Sequence, residues 1–322
     1  MPAPSSPVSL PGELGRRYAV RPATTADTDA LHALFVAHRT AVLGFCRVSR
    51  AEVRSWLEPP PADGRAVNLL VVARETEVPV QWWHGIHEGG AVRYSCMIVT
   101  DPVLPTTEAD RLWSAGWAQL RAWIEEAGEE PTAGRHAHSA CLLGDDHDRR
   151  RLAEAGFVHE RTFWEMTGPT SGGASPPEVP GLVVDGGAAP EVVHAVLQES
   201  FRGHWGFHSQ PFAAWLAAEQ AAPGCDQSLW FLASLDGQPV AAMILCRYDD
   251  ELYVQEVATL TPYRRRGIAS TLLAQAFAVG RQLGYERVML HVDSGNVDGA
   301  PRLYRAAGLQ VRHATLQHTL RL

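Results

Sequence analysis

The spacing of hydrophobic residues shows the same succession of helix-like and strand-like patterns in both halves of the chain. Residues 117–128 (WAQLRAWIEEAG) align without a gap with residues 273–284 (LAQAFAVGRQLG), and both have the apolar spacing of a long helix. Each half then ends in a short helical pattern, a glycine and an alternating stretch, as in RLAEAGFVHERTFWEMT and RLYRAAGLQVRHATLQHTL. We therefore expect each half to repeat one α/β unit.

Strand patterns complete the second unit. Residues 228–248 (SLWFLASLDGQPVAAMILCRY) predict a β-hairpin with its turn at DGQ, and ELYVQEVATL and RVMLHVD predict two more strands on either side of the long helix. The predicted fold class is α/β (α+β), with two tandem domains. Each domain has a mixed, mostly antiparallel central sheet that is flanked by helices.

Segments rich in Gly, Pro and Ser set the expected domain boundaries. Residues 168–181 (GPTSGGASPPEVPG) have no apolar periodicity and predict an interdomain linker, and residues 1–15 predict a disordered tail. The two domains are then expected at residues 16–167 and 182–322.

Composition narrows the class of function. With 28 basic and 36 acidic residues the formal net charge is −8, which argues against a nucleic-acid partner and favours attraction of a small cation. The five cysteines form no CxxC pair, which is typical of reduced intracellular thiols. Since no apolar run approaches the roughly 18 residues of a membrane span and the N-terminus lacks a signal peptide, we expect a cytoplasmic protein without a membrane partner.

Residues 261–273 (TPYRRRGIASTLL) place three arginines and a glycine in front of the long helix of the second half. A helix start has unsatisfied N–H groups and partial positive charge, so it binds phosphate readily, and the arginines add complementary charge. The pattern GxxxxGK[ST] is missing, which excludes a Walker loop. The alternative is an arginine cluster on a solvated helix start.

The context of this loop favours the first interpretation. The run from Arg264 to Ala269 resembles the Q/R-x-x-G-x-G/A signature of the Gcn5-related N-acetyltransferase (GNAT) superfamily, and it follows a strand and opens a helix as that family requires. Downstream, HVDSGNVDGAPRLYRAAGL resembles the family's later motif at Asn296, Tyr304 and Gly308. The resemblance is close over the second half and loose over the first. The two-domain arrangement resembles the mycothiol-synthase type of tandem acetyltransferase.

The resemblance implies acetyl-CoA, or another acyl-CoA, as cosubstrate. The family binds the pyrophosphate on the loop and helix start, and Asn296 joins this cosubstrate site. The loop residues are Arg264, Arg265, Arg266, Gly267, Ile268, Ala269 and Ser270. The family also pairs the pantetheine arm with the splayed strand before the loop, here at Val257, Ala258 and Thr259, where a backbone N–H holds the thioester carbonyl.

Candidate catalytic residues follow from the chemistry of acyl transfer. Tyr304 can give a proton to the departing thiolate, or it can merely pack on its helix. The attacking amine must be neutral, so a base is needed, for which Glu256 is the first candidate and Glu251 the second. Either carboxylate could instead be a cross-strand partner. A glycine-containing loop between two predicted helices has three aromatic residues, His204, Trp205 and Phe207. They could surround the acceptor amine, or they could pack the two helices together.

The first half lacks these features. In the helix alignment, Glu108 and Asp110 stand where the second half has arginines, and Arg111 replaces Gly267. Carboxylates repel a pyrophosphate, and a bulky residue blocks close backbone approach. Aligning the terminal glycines places Leu152 at the position of the candidate tyrosine. We expect a degenerate, non-catalytic domain.

Histidines and a cysteine of the first half match no zinc-site spacing, and the family needs no metal, so no metal is expected. They are His136, His138, Cys141 and His147.

The sequence therefore predicts an acyl-CoA-dependent N-acyltransferase that acetylates a primary amine of a small metabolite by direct attack. One alternative takes the acyl group from an acyl carrier protein, which presents the same phosphopantetheine arm. The other is a non-catalytic acyl-CoA sensor or scaffold. No nucleic-acid or membrane partner is expected.

Overall fold

A computed structural model describes residues 9–60, 64–87, 93–126, 134–205, 207–222, 224–248 and 250–322. The chain forms two compact units. Unit 1 contains Met1–Thr162 and Thr315–Leu322, and unit 2 contains Phe163–Ala314. Within the described residues, no helix is long and apolar enough to cross a membrane.

The first half of the sequence begins with a short helix and then has a strand, two helices, three strands, a helix, a strand, a helix and a strand. They are α1 (Gly12–Arg17), β1 (Tyr18–Pro22), α2 (Thr28–Leu43), α3 (Arg50–Leu57), β2 (Arg65–Ala73), β3 (Pro79–His87), β4 (Arg93–Thr100), α4 (Thr106–Glu126), β5 (His136–Leu142), α5 (Asp146–Glu154) and β6 (Val158–Pro169).

The second half repeats this order. Its elements are β7 (Leu182–Gly186), α6 (Pro190–Phe201), α7 (Phe212–Ala221), β8 (Cys225–Leu235), β9 (Gln238–Arg247), β10 (Glu251–Thr259), α8 (Ile268–Gln282), β11 (Arg287–Asp293), α9 (Ala300–Ala306) and β12 (Gln310–Arg321).

Each unit has a mostly antiparallel sheet with one parallel pair. In unit 1 the strands pair in the order β1-β2-β3-β4-β5, with β4 and β5 parallel, and residues 315–321 of β12 pair with β5. In unit 2 the order is β7-β8-β9-β10-β11, with β10 and β11 parallel, and residues 163–169 of β6 pair with β11. The predicted fold class, a mixed and mostly antiparallel sheet with flanking helices, is confirmed.

The last strand of each half divides its residues between the two units. The boundaries at Thr162 and Ala314 therefore differ from the predicted domains, residues 16–167 and 182–322. The local spacing of apolar residues predicts these strands, but it does not show which distant strands they pair with.

The predicted tail and linker contain described, ordered residues. Residues 12–15 of the predicted tail lie in α1, and Leu10 and Leu14 are buried in the core of unit 1. Residues 1–8 lie outside the described residues. In the predicted linker, the Thr170 hydroxyl is 2.9 Å from the Tyr285 carbonyl oxygen, to which it donates.

Two apolar clusters cover the faces of the unit 2 sheet. One lies under α8 and includes Leu272 and Phe277, and the other lies under α6 and α7 and includes Leu197 and Trp215. The predicted hairpin is β8 and β9, and its turn has positive φ at both Asp236 and Gly237, as a type I′ turn requires. β10 lies between the two clusters and leads directly to α8.

Candidate active site

β10 separates from β11 halfway along its length. The parallel strands pair from Glu251 with Arg287 to Val254 with Leu290. For residues 256–259 of β10, the described structure has pairing with β9 and none with β11. One edge of residues 257–259 is therefore available to another extended chain. The divergence that the resemblance implied is present, while its use for pantetheine stays a prediction.

A β-bulge turns two neighbouring polar side chains of β10 to one face. The register against β9 shifts between Val254 and Glu256, so Gln255 is an extra residue in the ladder. Glu256 lies opposite Ile244, a member of the cluster under α6 and α7, and paired residues share a face. Val257 returns to the cluster under α8. Without the bulge, the side chain of Glu256 would point into the apolar cluster under α8.

The carboxyl of Glu256 is buried and has an unused acceptor. Its Oε2 is inaccessible and has no hydrogen-bond partner among the residues that the structure describes. Burial and, as a smaller effect, the charge of Glu219 raise the pKa of Glu256 to about 8. A carboxyl that titrates near neutral pH and has a free oxygen is suited to accept a proton from a ligand.

Glu251, the second candidate base, has a different environment. It is only 1% exposed, and Arg312 forms two hydrogen bonds of 2.8 Å to its two carboxylate oxygens. Arg287 Nε lies 3.2 Å from its Oε1. Guanidinium groups occupy the lone pairs of this carboxylate, so the structure shows Glu251 in ion pairs with two arginines.

The loop before α8 turns through left-handed conformations. Arg265 has φ 65° and Gly267 has φ 87°. The bond from the Thr271 N–H to the Gly267 carbonyl oxygen, 3.0 Å, begins the helical ladder, so the N–H groups of residues 268–270 precede it and have no helical acceptor. The side chains of Arg265 and Arg266 are exposed beside them. This combination of free donors, helix dipole and cations suits an anion.

Arg264 is held by protein groups instead. Its Nε donates to the Thr259 carbonyl oxygen over 3.1 Å, and its other nitrogens donate to Asp298 Oδ2 over 2.7 Å and to the Ser200 carbonyl oxygen over 3.0 Å. These bonds join the end of β10, the end of α6 and the loop before α9. The predicted pyrophosphate contact of Arg264 therefore competes with three hydrogen bonds, and its charge is paired with Asp298.

Tyr304 lies on α9 and is 8% exposed. Burial raises the pKa of its hydroxyl to about 12, so the group stays protonated at neutral pH and can donate. Its side chain belongs to the same cluster as Ile268, at the start of α8, and Val292, near the end of β11. α9 and the start of α8 thus contribute to one apolar cluster, while the approach of Tyr304 to the gap between β10 and β11 stays a prediction.

Asn296 caps the turn into α9. Its Oδ1 accepts hydrogen bonds from the N–H groups of Asp298, at 3.0 Å, and Ala300, at 3.3 Å. This is the local role that Asn often has at a helix entry. Its predicted place in the cosubstrate site stays a prediction.

Comparison with known proteins shows which family this part of the chain resembles. Residues 191–309 match the model of the acetyltransferase (GNAT) family. These residues form a GNAT domain. No curated protein matches the sequence.

Solved structures extend the similarity to both halves. The chain is similar to a GCN5-related N-acetyltransferase from Sphaerobacter thermophilus, with 24% identity over 94% of this chain and 95% of that chain and a TM-score of 0.79. A tandem GNAT protein from the clavulanic acid biosynthesis pathway has 12% identity over 94% of this chain and 98% of that chain, with a TM-score of 0.72. An acetyltransferase of the GNAT family from Colwellia psychrerythraea has 11% identity over 94% and 99%, with a TM-score of 0.61. At these identities the similarity establishes the fold, and the inferred resemblance to tandem GNAT proteins is confirmed.

The predicted acceptor residues of the GNAT domain lie in the loop after α6. His204 Nε2 is 3.3 Å from Asp298 Oδ2, the oxygen that also accepts from Arg264. The ring centroid of Trp205 is 6.1 Å from that of Phe163 on β6. The Phe207 N–H donates to the His204 carbonyl oxygen over 3.1 Å. The structure thus ties this loop to the loops before α8 and α9.

Three residues of the GNAT domain were missed by the sequence analysis: Glu219, Gln255 and Asp298. One signal for the bulge was present, because the apolar residues Leu252, Val254 and Val257 are spaced by two and then by three. No local pattern marks Glu219 or Asp298, whose partners lie on other elements.

In unit 1, the structure groups a different set of possible metal ligands from the one considered above. Ligand atoms of His38, Asp145 and Asp148 lie within 4.8 Å of one another. Arg151 donates to Asp148 Oδ1 over 2.8 Å, and His38 Nε2 lies 3.3 Å from Asp145 Oδ2. These contacts give an ion-pair cluster, and the absence of a metal requirement stays a prediction.

Proposed function

We propose that the GNAT domain transfers the acetyl group of acetyl-CoA to a primary amine of a small metabolite. The observation that carries this proposal is the buried, unpartnered Oε2 of Glu256 beside the divergence of β10 from β11. A proton acceptor is thereby next to the strand edge on which a thioester arm can pair. The mechanism is direct transfer, without a covalent enzyme intermediate.

The donor binds at two adjacent places. Its pyrophosphate accepts hydrogen bonds from N–H groups of residues 267–270, with Arg265 and Arg266 adding charge. Its pantetheine arm pairs with residues 257–259, where a backbone N–H donates to the thioester carbonyl oxygen. That donor becomes more valuable as negative charge develops on the oxygen. Arg264 contributes by holding the loop, since its own donors bond to protein acceptors.

The acceptor reacts on the other side of the thioester. Glu256 takes a proton from the ammonium group, and the neutral nitrogen attacks the carbonyl carbon. The C–N bond forms, and the nitrogen of the tetrahedral intermediate releases its second proton to water. The intermediate then collapses and the C–S bond breaks. The sulfur receives its proton from Tyr304, whose raised pKa keeps it protonated until that moment. His204, Trp205 and Phe207 line the approach of the amine.

The experiment is a screen of an amine library with acetyl-CoA and longer acyl-CoAs, monitored by release of free thiol. Amine-dependent thiol release with acetyl-CoA is the expected result. Thermal stabilisation by acetyl-CoA without turnover on any amine would favour the sensor. Turnover only with acyl groups on a carrier protein would favour the carrier-dependent enzyme.

A further inference from the structure

Four carboxyls on the unit 2 sheet or on α7 beside it fall into two groups. Glu165 and Glu251 face cations: Arg312 hydrogen-bonds to both, and Arg287 also pairs with Glu251. The pKa of Glu165 is lowered to about 2, because His291, His313 and Arg312 outweigh the effect of burial. Cations of the protein itself therefore neutralise the charges of Glu165 and Glu251.

The second group, Glu219 and Glu256, has no such balance. The partner of Glu219 is the neutral amide of Gln255, whose Nε2 is 2.5 Å from Glu219 Oε2. Within the described part of the chain, Glu256 Oε2 has no hydrogen-bond partner. Among the described residues, no arginine or histidine forms an ion pair with either carboxyl. Burial raises the pKa of both groups, opposed at Glu219 by the Gln255 hydrogen bond.

The bulge of β10 creates this arrangement. It points Gln255 and Glu256, which are neighbours in sequence, to the face covered by α6 and α7. Gln255 then reaches Glu219 on α7, while its Oε1 accepts from the Cys246 thiol over 2.8 Å. The amide of Gln255 is thus fixed at both ends, and it holds the Glu219 carboxyl beside that of Glu256.

A buried carboxyl next to a half-buried one is costly without a counter-ion, unless a ligand supplies the positive charge. We propose that the acceptor carries two amino groups and that Glu219 is the residue that selects the second one. The reacting ammonium gives its proton to Glu256 and becomes the nucleophile. The other ammonium keeps its charge and pairs with Glu219. This inference rests on the proposed function and names its substrate class.

The test compares acceptors of equal length that differ in one amino group. Aliphatic diamines, such as 1,4-diaminobutane, are compared with the matching monoamines, such as 1-aminobutane, as acceptors of acetyl-CoA. We expect kcat/KM to be about 10–100-fold higher for the diamine, the size of one charge-assisted contact. Equal values for each diamine and its monoamine would overturn the proposal.

Glu219→Gln isolates the charge. The new amide oxygen still accepts from Gln255, so the local hydrogen bond is kept while the carboxylate is lost. We expect kcat/KM for diamines to fall about 10–100-fold relative to kcat/KM for monoamines, because any effect on the pKa of Glu256 is shared by both acceptors. Glu191→Gln, at an exposed position of α6, is the matched control and should change neither. A Glu219→Gln variant with unchanged diamine preference would make Glu219 structural only.

Calorimetric binding of the same amines to the CoA-bound protein separates this inference from the proposed function. Tighter binding of diamines, lost in Glu219→Gln, supports the second ammonium site even if no acetyl transfer is seen, in which case only the proposed function fails. Acetyl transfer to monoamines and diamines alike, with no difference in binding, rejects this inference alone. Absence of any binding preference rejects it in either case.

Discussion

The starts of α4 and α8 show what an anion site at a helix needs. In α8 the loop of residues 264–267 precedes the helix, and its left-handed turns leave the first N–H groups unused. In α4 the aligned residues, 108–111, are already helical, and the Ala109 N–H donates to the Pro105 carbonyl oxygen over 2.9 Å. Glu108 accepts from Tyr18, and Asp110 accepts from Arg150 and Arg151. A helix start alone is therefore not sufficient to bind an anion. The conformation of the loop in front of it determines whether N–H donors remain available.

β4 and β10 give the same lesson for catalysis. Each separates from its parallel neighbour after four paired residues, so the gap is a property of the fold. The register of β4 against β3 has no shift among its paired residues, and β4 contains no acidic residue. Only β10 combines the gap with a bulge and a buried Glu256. The two units therefore share the gap and differ in the bulge and in the acidic residue that the proposed mechanism uses.

The ends of α5 and α9 share their backbone geometry and differ at the position of the candidate tyrosine. The Phe157 N–H donates to the Leu152 carbonyl oxygen and the Leu309 N–H to that of Tyr304, both over 3.0 Å. A glycine with positive φ follows in each case. This shared geometry supports the alignment of Leu152 with Tyr304, so unit 1 has the position but not the hydroxyl.

The largest effect is expected from Glu256→Gln. Loss of the base should lower kcat by about 10²–10⁴-fold. In the wild type, activity requires the carboxylate, so the rate should fall as pH drops through about 8, and this limb should vanish in the variant. Rates of thiol release across that pH range measure it, with Glu286→Gln, at an exposed position, as control. An unchanged pH profile would remove Glu256 from the mechanism.

Tyr304→Phe makes the α9 position resemble that of unit 1. We expect kcat to fall by about 10²–10⁴-fold while the Kd for acetyl-CoA changes little, because the hydroxyl acts as charge collects on sulfur. The loss should shrink as pH rises past the thiol pKa of roughly 8.5. Tyr285→Phe, beyond the end of α8, is the control. Near-normal kcat would leave Tyr304 as a packing residue.

Charge reversal at the exposed arginines, Arg265→Glu with Arg266→Glu, makes the loop resemble the acidic start of α4. The affinity for CoA should fall by about 10–100-fold, on the scale of lost charge-assisted contacts. Calorimetric titrations with CoA and dephospho-CoA measure it, and Arg302→Glu, at an exposed position of α9, controls for net charge. Unchanged affinity for both ligands would contradict the phosphate assignment.

Gly267→Ala has the smallest expected effect. An added Cβ would lie 2.7 Å from Pro177 Cγ in a backbone with positive φ, so the unfolding free energy should fall by about 1–3 kcal/mol. Gly284→Ala shares the positive φ but meets no atom within 4 Å, and it should cost about 1 kcal/mol. Denaturant unfolding of the two variants compares them. Equal losses would show that the Pro177 contact has no weight.

The sequence predicted what depends on local periods and on backbone chemistry. The order of elements, the DGQ hairpin and the loop at Gly267 follow from apolar spacing and from glycine's tolerance of positive φ. The partners of β6 and β12, the bonds that occupy Arg264 and the approach of Glu219 to Gln255 depend on distant elements. Tertiary pairing decided them, and one sequence carries no local mark of it.

The measurement that tests the account most directly is the stoichiometry of CoA binding to the full chain. Among the described residues, unit 2 combines the free helix start, the bulge of β10 and the tyrosine, and the aligned positions of unit 1 do not. Titration calorimetry should therefore give one CoA per chain, and this binding should weaken in Arg265→Glu with Arg266→Glu. A stoichiometry near two, or one site of unchanged affinity in that variant, would show that the start of α4 or another surface binds the donor and would contradict the account.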